Sequence, residues 1–236
     1  MIDCIGLKSV FYGMTDNNSS YLNSAKDYYE RFSGFFNKDK TTLFFISSGG
    51  TVYGKSNSIL ISESNNLNGY SPYAIANIEI ERIFASRANS VVIRGSNIFG
   101  ETKRNRFHQG LITELFFSAI EKREIQIDSL DTVKDYIWID DFINIIFKLF
   151  EINDVSGIFN IGTGTGKSTG NLIDLIRKIV QDSGLNIEYG VNEGLRKSSD
   201  CILDPAKVLN TIQGFKFTDF NLALQKHWKS ILMSRS

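Results

Sequence analysis

The sequence predicts an α/β protein built on a mostly parallel sheet, and two observations carry that expectation. Fully apolar runs such as Leu43-Phe44-Phe45-Ile46 and Val91-Val92-Ile93 have the composition of strands buried on both faces. Longer amphipathic stretches separate them, as parallel pairing requires, because a parallel crossover needs a dozen or more residues and usually a helix.

Taken in order, Asp3 to Leu7 reads as a short buried strand, and Asn17 to Ser20 supply cap-type residues before an amphipathic helix from about Tyr21 to Phe36. Thr42 to Ser47 is the first long strand, and it runs into a loop, Ser47-Ser48-Gly49-Gly50. Ser71 and Pro72 suit an N-cap and a first helical position: the serine oxygen can accept from a free amide, and proline lacks a hydrogen that the first turn cannot pair. The helix they open runs from Tyr73 to about Arg87, with Ile75, Ile78, Ile83 and Phe84 available to its buried side. Ser90 to Arg94 is the next strand. Further helices are expected at about Phe107 to Lys122, Asp140 to Phe150, Thr169 to Asp182 and Phe220 to Leu232, and short strands at Glu124 to Ile127, Lys134 to Trp138, Gly157 to Ile161 and Ile187 to Tyr189. With only Pro72 and Pro205 as prolines, no proline-marked linker divides the chain.

Composition excludes several classes of function. The 236 residues carry 26 basic and 26 acidic side chains, so the net charge is zero and the basic footprint of a nucleic-acid or anionic-membrane binder is missing. The greasiest stretch, Phe142 to Phe150, is broken by Asn144 and Lys148 and is far shorter than the roughly 18 apolar residues of a membrane span. The opening MIDCIGLK lacks a secretory pattern, and two distant cysteines, Cys4 and Cys201, suit a reducing compartment, so the expected location is the cytoplasm. Those cysteines with His108 and His227 offer no metal-ligand spacing, and no metal is expected.

The string GTGTGKSTG, Gly162 to Gly170, invites comparison with a phosphate-binding P-loop. Counting decides against it: a P-loop needs a glycine six residues before its lysine, and Ile161 stands six residues before Lys167. A tight strand-to-helix turn capped by Ser168 or Thr169 is expected instead. Asp140 and Asp141, a tempting acid-base pair, are expected to cap the helix that follows them. Tyr73 and Asn77, four residues apart, share a helix face, and the loop before them offers hydroxyls at Ser48 and Thr51.

In sequence order, LFFISSGGTVYG, SPYAIAN, VVIRGSNIFG, VKDYIWIDDFINII and GIFNIGTGTGKST resemble blocks of the extended short-chain dehydrogenase/reductase family, specifically its NAD-dependent nucleotide-sugar epimerases and dehydratases, from about residue 40 to 170. The resemblance implies an incomplete Rossmann-like parallel sheet, its N-terminal strands missing, with a small C-terminal α/β substrate lobe. Residues 1–162 would form a partial NAD-binding domain, 102–134 contributing to the substrate lobe, and 163–236 the rest of that lobe.

It also implies roles. Tyr73 would be the catalytic acid or base, Ser48 or Thr51 the hydroxyl that polarises the sugar oxygen, and Asn77 would stand where the family has the lysine that lowers the tyrosine pKa and holds the nicotinamide ribose. Ser47, Tyr73 and Asn77 would face NAD. Asn97, Lys134 and Arg196 would contact the diphosphate of a nucleotide-diphosphate sugar, arginine suiting phosphate by its forked donors. An amide at position 77 carries no charge, so the family's device for activating the phenol is lacking. The family's opening glycine-rich turn, which receives the dinucleotide pyrophosphate, has no counterpart before MIDCIGLK, and two βαβ units suggest about 60–80 missing residues. The expected function is therefore a truncated or degenerate nucleotide-sugar epimerase or dehydratase of surface-polysaccharide synthesis, or else a non-catalytic nucleotide-sugar binder. Its uncovered apolar strand edges call for a homodimer or an intact paralogue as partner.

Overall fold

The structure is a computed structural model, and it describes residues 2–3, 19–36, 41–56, 60–100, 110–192 and 199–234. In chain order the first half comprises β1 (Ile2–Asp3), α1 (Ser19–Phe35), β2 (Leu43–Ser48), α2 (Gly49–Val52), α3 (Pro72–Ala85), β3 (Ser90–Gly95) and β4 (Asn97–Phe99). There follow α4 (Leu111–Glu121), β5 (Ile125–Ile127), β6 (Val133–Trp138), α5 (Ile139–Phe150), β7 (Gly157–Ile161), β8 (Gly166–Ser168), α6 (Thr169–Gln181), β9 (Tyr189–Val191), α7 (Ala206–Ile212) and α8 (Phe220–Met233).

The main sheet is parallel throughout, in the order β1-β2-β3-β7. Successive side chains of β2 point to opposite faces, and this sorts the core into two layers. Leu43 and Phe45 join Tyr29, Ile80, Phe84 and Val92 beneath α1 and α3. Phe44 joins Ile93, Phe142, Ile145 and Phe159 on the other face, where α5 and α7 pack. The α/β class and the parallel Rossmann-like sheet are as the sequence predicts.

A third core lies under β4, β6, α4, α6 and α8, where Phe116 stacks on Trp228 with ring centroids 5.2 Å apart. His227 is fully buried there, its ring against Phe99, Phe116 and Trp138, and neither ring nitrogen has a hydrogen-bond partner among the described residues. Among the described residues no helix is long and apolar enough to cross a membrane.

Several local expectations need correction. The Ser-Ser-Gly-Gly segment is not an open loop: Gly49 starts a helical turn pressed so closely on its surroundings that an added Cβ would lie 2.6 Å from Leu203 Cδ1 and 3.1 Å from the Gly95 carbonyl. Two short strands, β4 in SNIF and β8 in GTGTGKST, pair with β6 on either side, and α7 begins at Ala206. The strand expected at Ile187 to Tyr189 lies at Tyr189–Val191, where it pairs with β5. The helix expected from Phe107 starts at Leu111, with 107–109 outside the described residues, and of the strand expected at Asp3 to Leu7 only Asp3 is described.

Ser71 does cap α3, accepting a hydrogen bond from the Ala74 amide at 3.1 Å, and Ser168 caps α6 by accepting from Asn171. Asp140 and Asp141 lie in the first turn of α5 without capping it; Asp141 instead accepts from the Thr218 amide and hydroxyl, both at 2.8 Å.

Candidate functional site

The carboxyl ends of β2, β3 and β7 bring the candidate residues together, as is usual for sites on open α/β sheets. Ser47 and Ser48 end β2, and α3 crosses above them carrying Tyr73, Asn77 and Glu81 at spacings of four, which places all three toward one side of the helix. The Tyr73 phenol has the Ser48 and Asn77 side chains as its polar neighbours. Burial raises its pKa above the ordinary value of about 10, and the Asn77 and Ser48 side chains pull it only partly back. No charged group contributes to that balance.

The structure distinguishes the two candidate hydroxyls. Ser48 is the one beside Tyr73, whereas Thr51 Oγ1 donates to the Ser48 carbonyl at 3.3 Å and so braces the turn. Asn77 is buried, and its Nδ2 donates back to the Tyr73 carbonyl at 2.8 Å along its own helix. Ser47 is also buried, and its hydroxyl donates to Glu81 Oε1 at 2.5 Å.

Below these groups lies a polar row that sequence reasoning missed. Ser47, Arg94 and Asn160 are direct neighbours across three strands. Arg94 and Glu81 are each 3% exposed and form an ion pair, Nη2 to Oε2, at 2.7 Å. Arg94 Nη1 also donates to the Tyr53 hydroxyl at 2.9 Å, which donates in turn to Asn160 Oδ1 at 2.7 Å. Burial works against the Arg94 charge, but Glu81 and Tyr53 more than offset it and its pKa is raised. The row therefore ties α3, through Glu81, and the end of α2, through Tyr53, to the sheet. Gly54 follows Tyr53 with φ +61 and its α-carbon packed on the Asn68 backbone, a position only glycine fills without strain. The one available sequence signal was an arginine inside an otherwise apolar strand.

Of the residues expected to contact a diphosphate, Asn97 Nδ2 donates to the Asp135 carbonyl at 2.8 Å, and its Oδ1 lies 3.8 Å from where a Cβ on Gly50 would stand, so Asn97 adjoins the α2 turn. Lys134 Nζ donates to the Ser199 carbonyl at 2.5 Å, and burial lowers its pKa. Arg196 and His108 lie outside the described residues. The Gly162 to Gly166 turn wraps a carboxylate of this chain: buried Asp135 accepts from the Thr163 amide at 3.0 Å and hydroxyl at 2.6 Å and from the Gly164 amide at 3.3 Å.

Residues 31–162 match the model of the NAD dependent epimerase/dehydratase family. A dTDP-4-dehydro-6-deoxyglucose reductase from Escherichia coli is 33% identical over 153 residues, 61% of this chain and 48% of that protein. A GDP-6-deoxy-D-talose 4-dehydrogenase from Aggregatibacter actinomycetemcomitans is 26% identical over 208 residues, 85% of this chain and 68% of that protein. The chain thus spans about half the length of the first and two thirds of the second. Among solved structures, a UDP-glucose-4-epimerase from Stenotrophomonas maltophila with bound NAD and formylated UDP-arabinopyranose superposes with a TM-score of 0.83 at 20% identity, covering 99% of this chain and 76% of that one.

Proposed function

We propose, since this chain belongs to the NAD dependent epimerase/dehydratase family, that it binds a nucleotide-diphosphate sugar against Ser48, Tyr73 and Asn97 as a degenerate nucleotide-sugar epimerase or dehydratase, without carrying out hydride transfer on its own. One observation carries the reading. The phenol and the Ser48 hydroxyl remain together, while the amide at position 77 is buried and turned onto its own helix.

The residues facing the place of a nicotinamide ribose do not fit that group. Asn77 and Ser47 are both buried and engaged within the protein, and neither brings a positive charge. What remains is a neutral hydrogen-bond donor. A phenol with a pKa above 10 is deprotonated in about one molecule per thousand or fewer at pH 7, so Tyr73 can donate to a sugar oxygen but is poorly suited to take a proton from a sugar hydroxyl. Asn97 and Lys134 would stand toward the diphosphate.

Calorimetric titration of the chain with UDP-glucose and dTDP-glucose, with NAD measured after denaturing the purified protein, tests this reading. Saturable binding of at least one sugar nucleotide is expected, weakened about tenfold by Asn97→Ala, with no NAD released and no turnover. Released NAD together with turnover would contradict the proposal, as would failure to bind either nucleotide.

A second reading, docking on an intact paralogue, is supported by α5, whose Ile143, Phe147 and Phe150 form an exposed apolar stripe on one helix face. Light scattering on the chain alone and mixed with such a paralogue distinguishes the two.

A further inference from the structure

We propose that the cavity between β6, β8 and the start of α8 is a second ligand site, for a small anionic pyranose of the hexose phosphate class. The cavity holds about 220 Å³ and is walled by the rings of Trp138, Phe217 and Phe220. That is below the roughly 300–1,000 Å³ of sites for drug-sized ligands, so it suits one sugar ring with one charged group.

The polar groups are unevenly matched. Lys167 Nζ lies 5.1 Å over the Phe220 ring and has no carboxylate partner among the described residues. Tyr136 is only 6% exposed and lines the cavity with a hydroxyl that has no hydrogen-bond partner among the described residues. Burial pushes that phenol up to about 12, so it remains a donor. The exposed Thr165 also lines the cavity.

The one carboxylate in the wall, Asp141, accepts from the Thr218 amide and hydroxyl, and no ion pair joins it to Lys167 among the described residues. An ammonium and a phenol without an acceptor among the described residues call for an anion. Thr218 also lines the cavity, and its hydroxyl, which donates to Asp141, keeps acceptor capacity for a sugar hydroxyl. Aromatic walls suit the C–H face of a pyranose.

This cavity adjoins the group Ser48, Tyr73 and Asn97, none of which lines it. Asn97 lines a different, smaller cavity of about 60 Å³ at the start of α4, and the two share Tyr136 and Phe99.

The test is calorimetric titration of the full chain with glucose 1-phosphate, and with inorganic phosphate and glucose as separate probes. Saturable binding of glucose 1-phosphate is expected, weakened about tenfold or more by Lys167→Gln, the usual scale for losing a charge-assisted hydrogen bond. It should weaken also with Tyr136→Phe and persist with Asn97→Ala, each variant first shown to melt like the parent. Three results would each overturn the proposal: no saturable binding up to about 10 mM, equal binding of inorganic phosphate, or loss with Asn97→Ala but not with Lys167→Gln. The Asn97 arm reports on the nucleotide-sugar site, so failure of one proposal is readable apart from failure of the other.

Discussion

Replacing Arg94 by leucine is expected to destabilise the fold by about 3–5 kcal/mol, the usual cost of removing one partner from a buried ion pair. The magnitude follows from what is left behind. Glu81 is 3% exposed, and without the guanidinium its carboxylate keeps only the Ser47 hydroxyl as a donor near the pair. Tyr53 would lose the Arg94 donor while still donating to Asn160. Replacing both ends, Arg94→Leu with Glu81→Leu, removes the orphaned charge and should recover a large part of the loss. Chemical denaturation of the two single variants and the double variant measures this as a double-mutant cycle. Near-additive single losses would mean that the two side chains do not act as a pair.

Acid is expected to weaken the C-terminal core through His227. Burial holds its pKa near 4, against about 6.5 for a free imidazole. The folded chain therefore binds a proton less readily than the unfolded chain. Stability is fully present above pH 6.5 and falls as pH drops from about 6.5 toward 4, by up to about 3 kcal/mol if the whole shift is expressed. The unpaired ring nitrogens also cost something at neutral pH. His227→Leu should therefore flatten this acid limb and leave the protein at least as stable at pH 7, because leucine suits the surrounding rings of Phe99, Phe116 and Trp138. Denaturation midpoints of parent and variant between pH 4 and pH 8 provide the check. An unchanged acid limb in the variant would assign it to other groups.

The parts of the fold that sequence made legible are those whose signal is local. β2 and β3 are continuous apolar runs, and α3 announces itself by Ser71 and Pro72 at its start. The turn α2 was hidden because Gly49 and Gly50 are poor helix formers, and it is held by close packing on Leu203 and Gly95, far away in sequence. β4 and β8 are three-residue strands whose only reason to be strands is β6 between them. The same limit applies at the site. Tyr73 and the hydroxyl-bearing turn could be read from spacing, but choosing Ser48 over Thr51 required the rotation of α3 over β2. Tyr53 meets Asn160 across 107 positions, a pairing that no local pattern records. Likewise, the glycine-rich string could be excluded as a P-loop by counting, whereas its grip on Asp135 required the fold.

The account depends most on a phenol that meets Ser48 with no positive charge to activate it. Its direct measurement is the pH titration of Tyr73 by NMR, with tyrosines labelled with carbon-13 at the ring carbon bearing the hydroxyl and the resonance assigned by Tyr73→Phe. In the parent, Tyr73 should stay protonated until the pH exceeds the ordinary phenol value of about 10, and Asn77→Lys should lower its midpoint by about a unit or more. A parent Tyr73 that ionises near pH 7, or one whose midpoint ignores a lysine at position 77, would contradict the account.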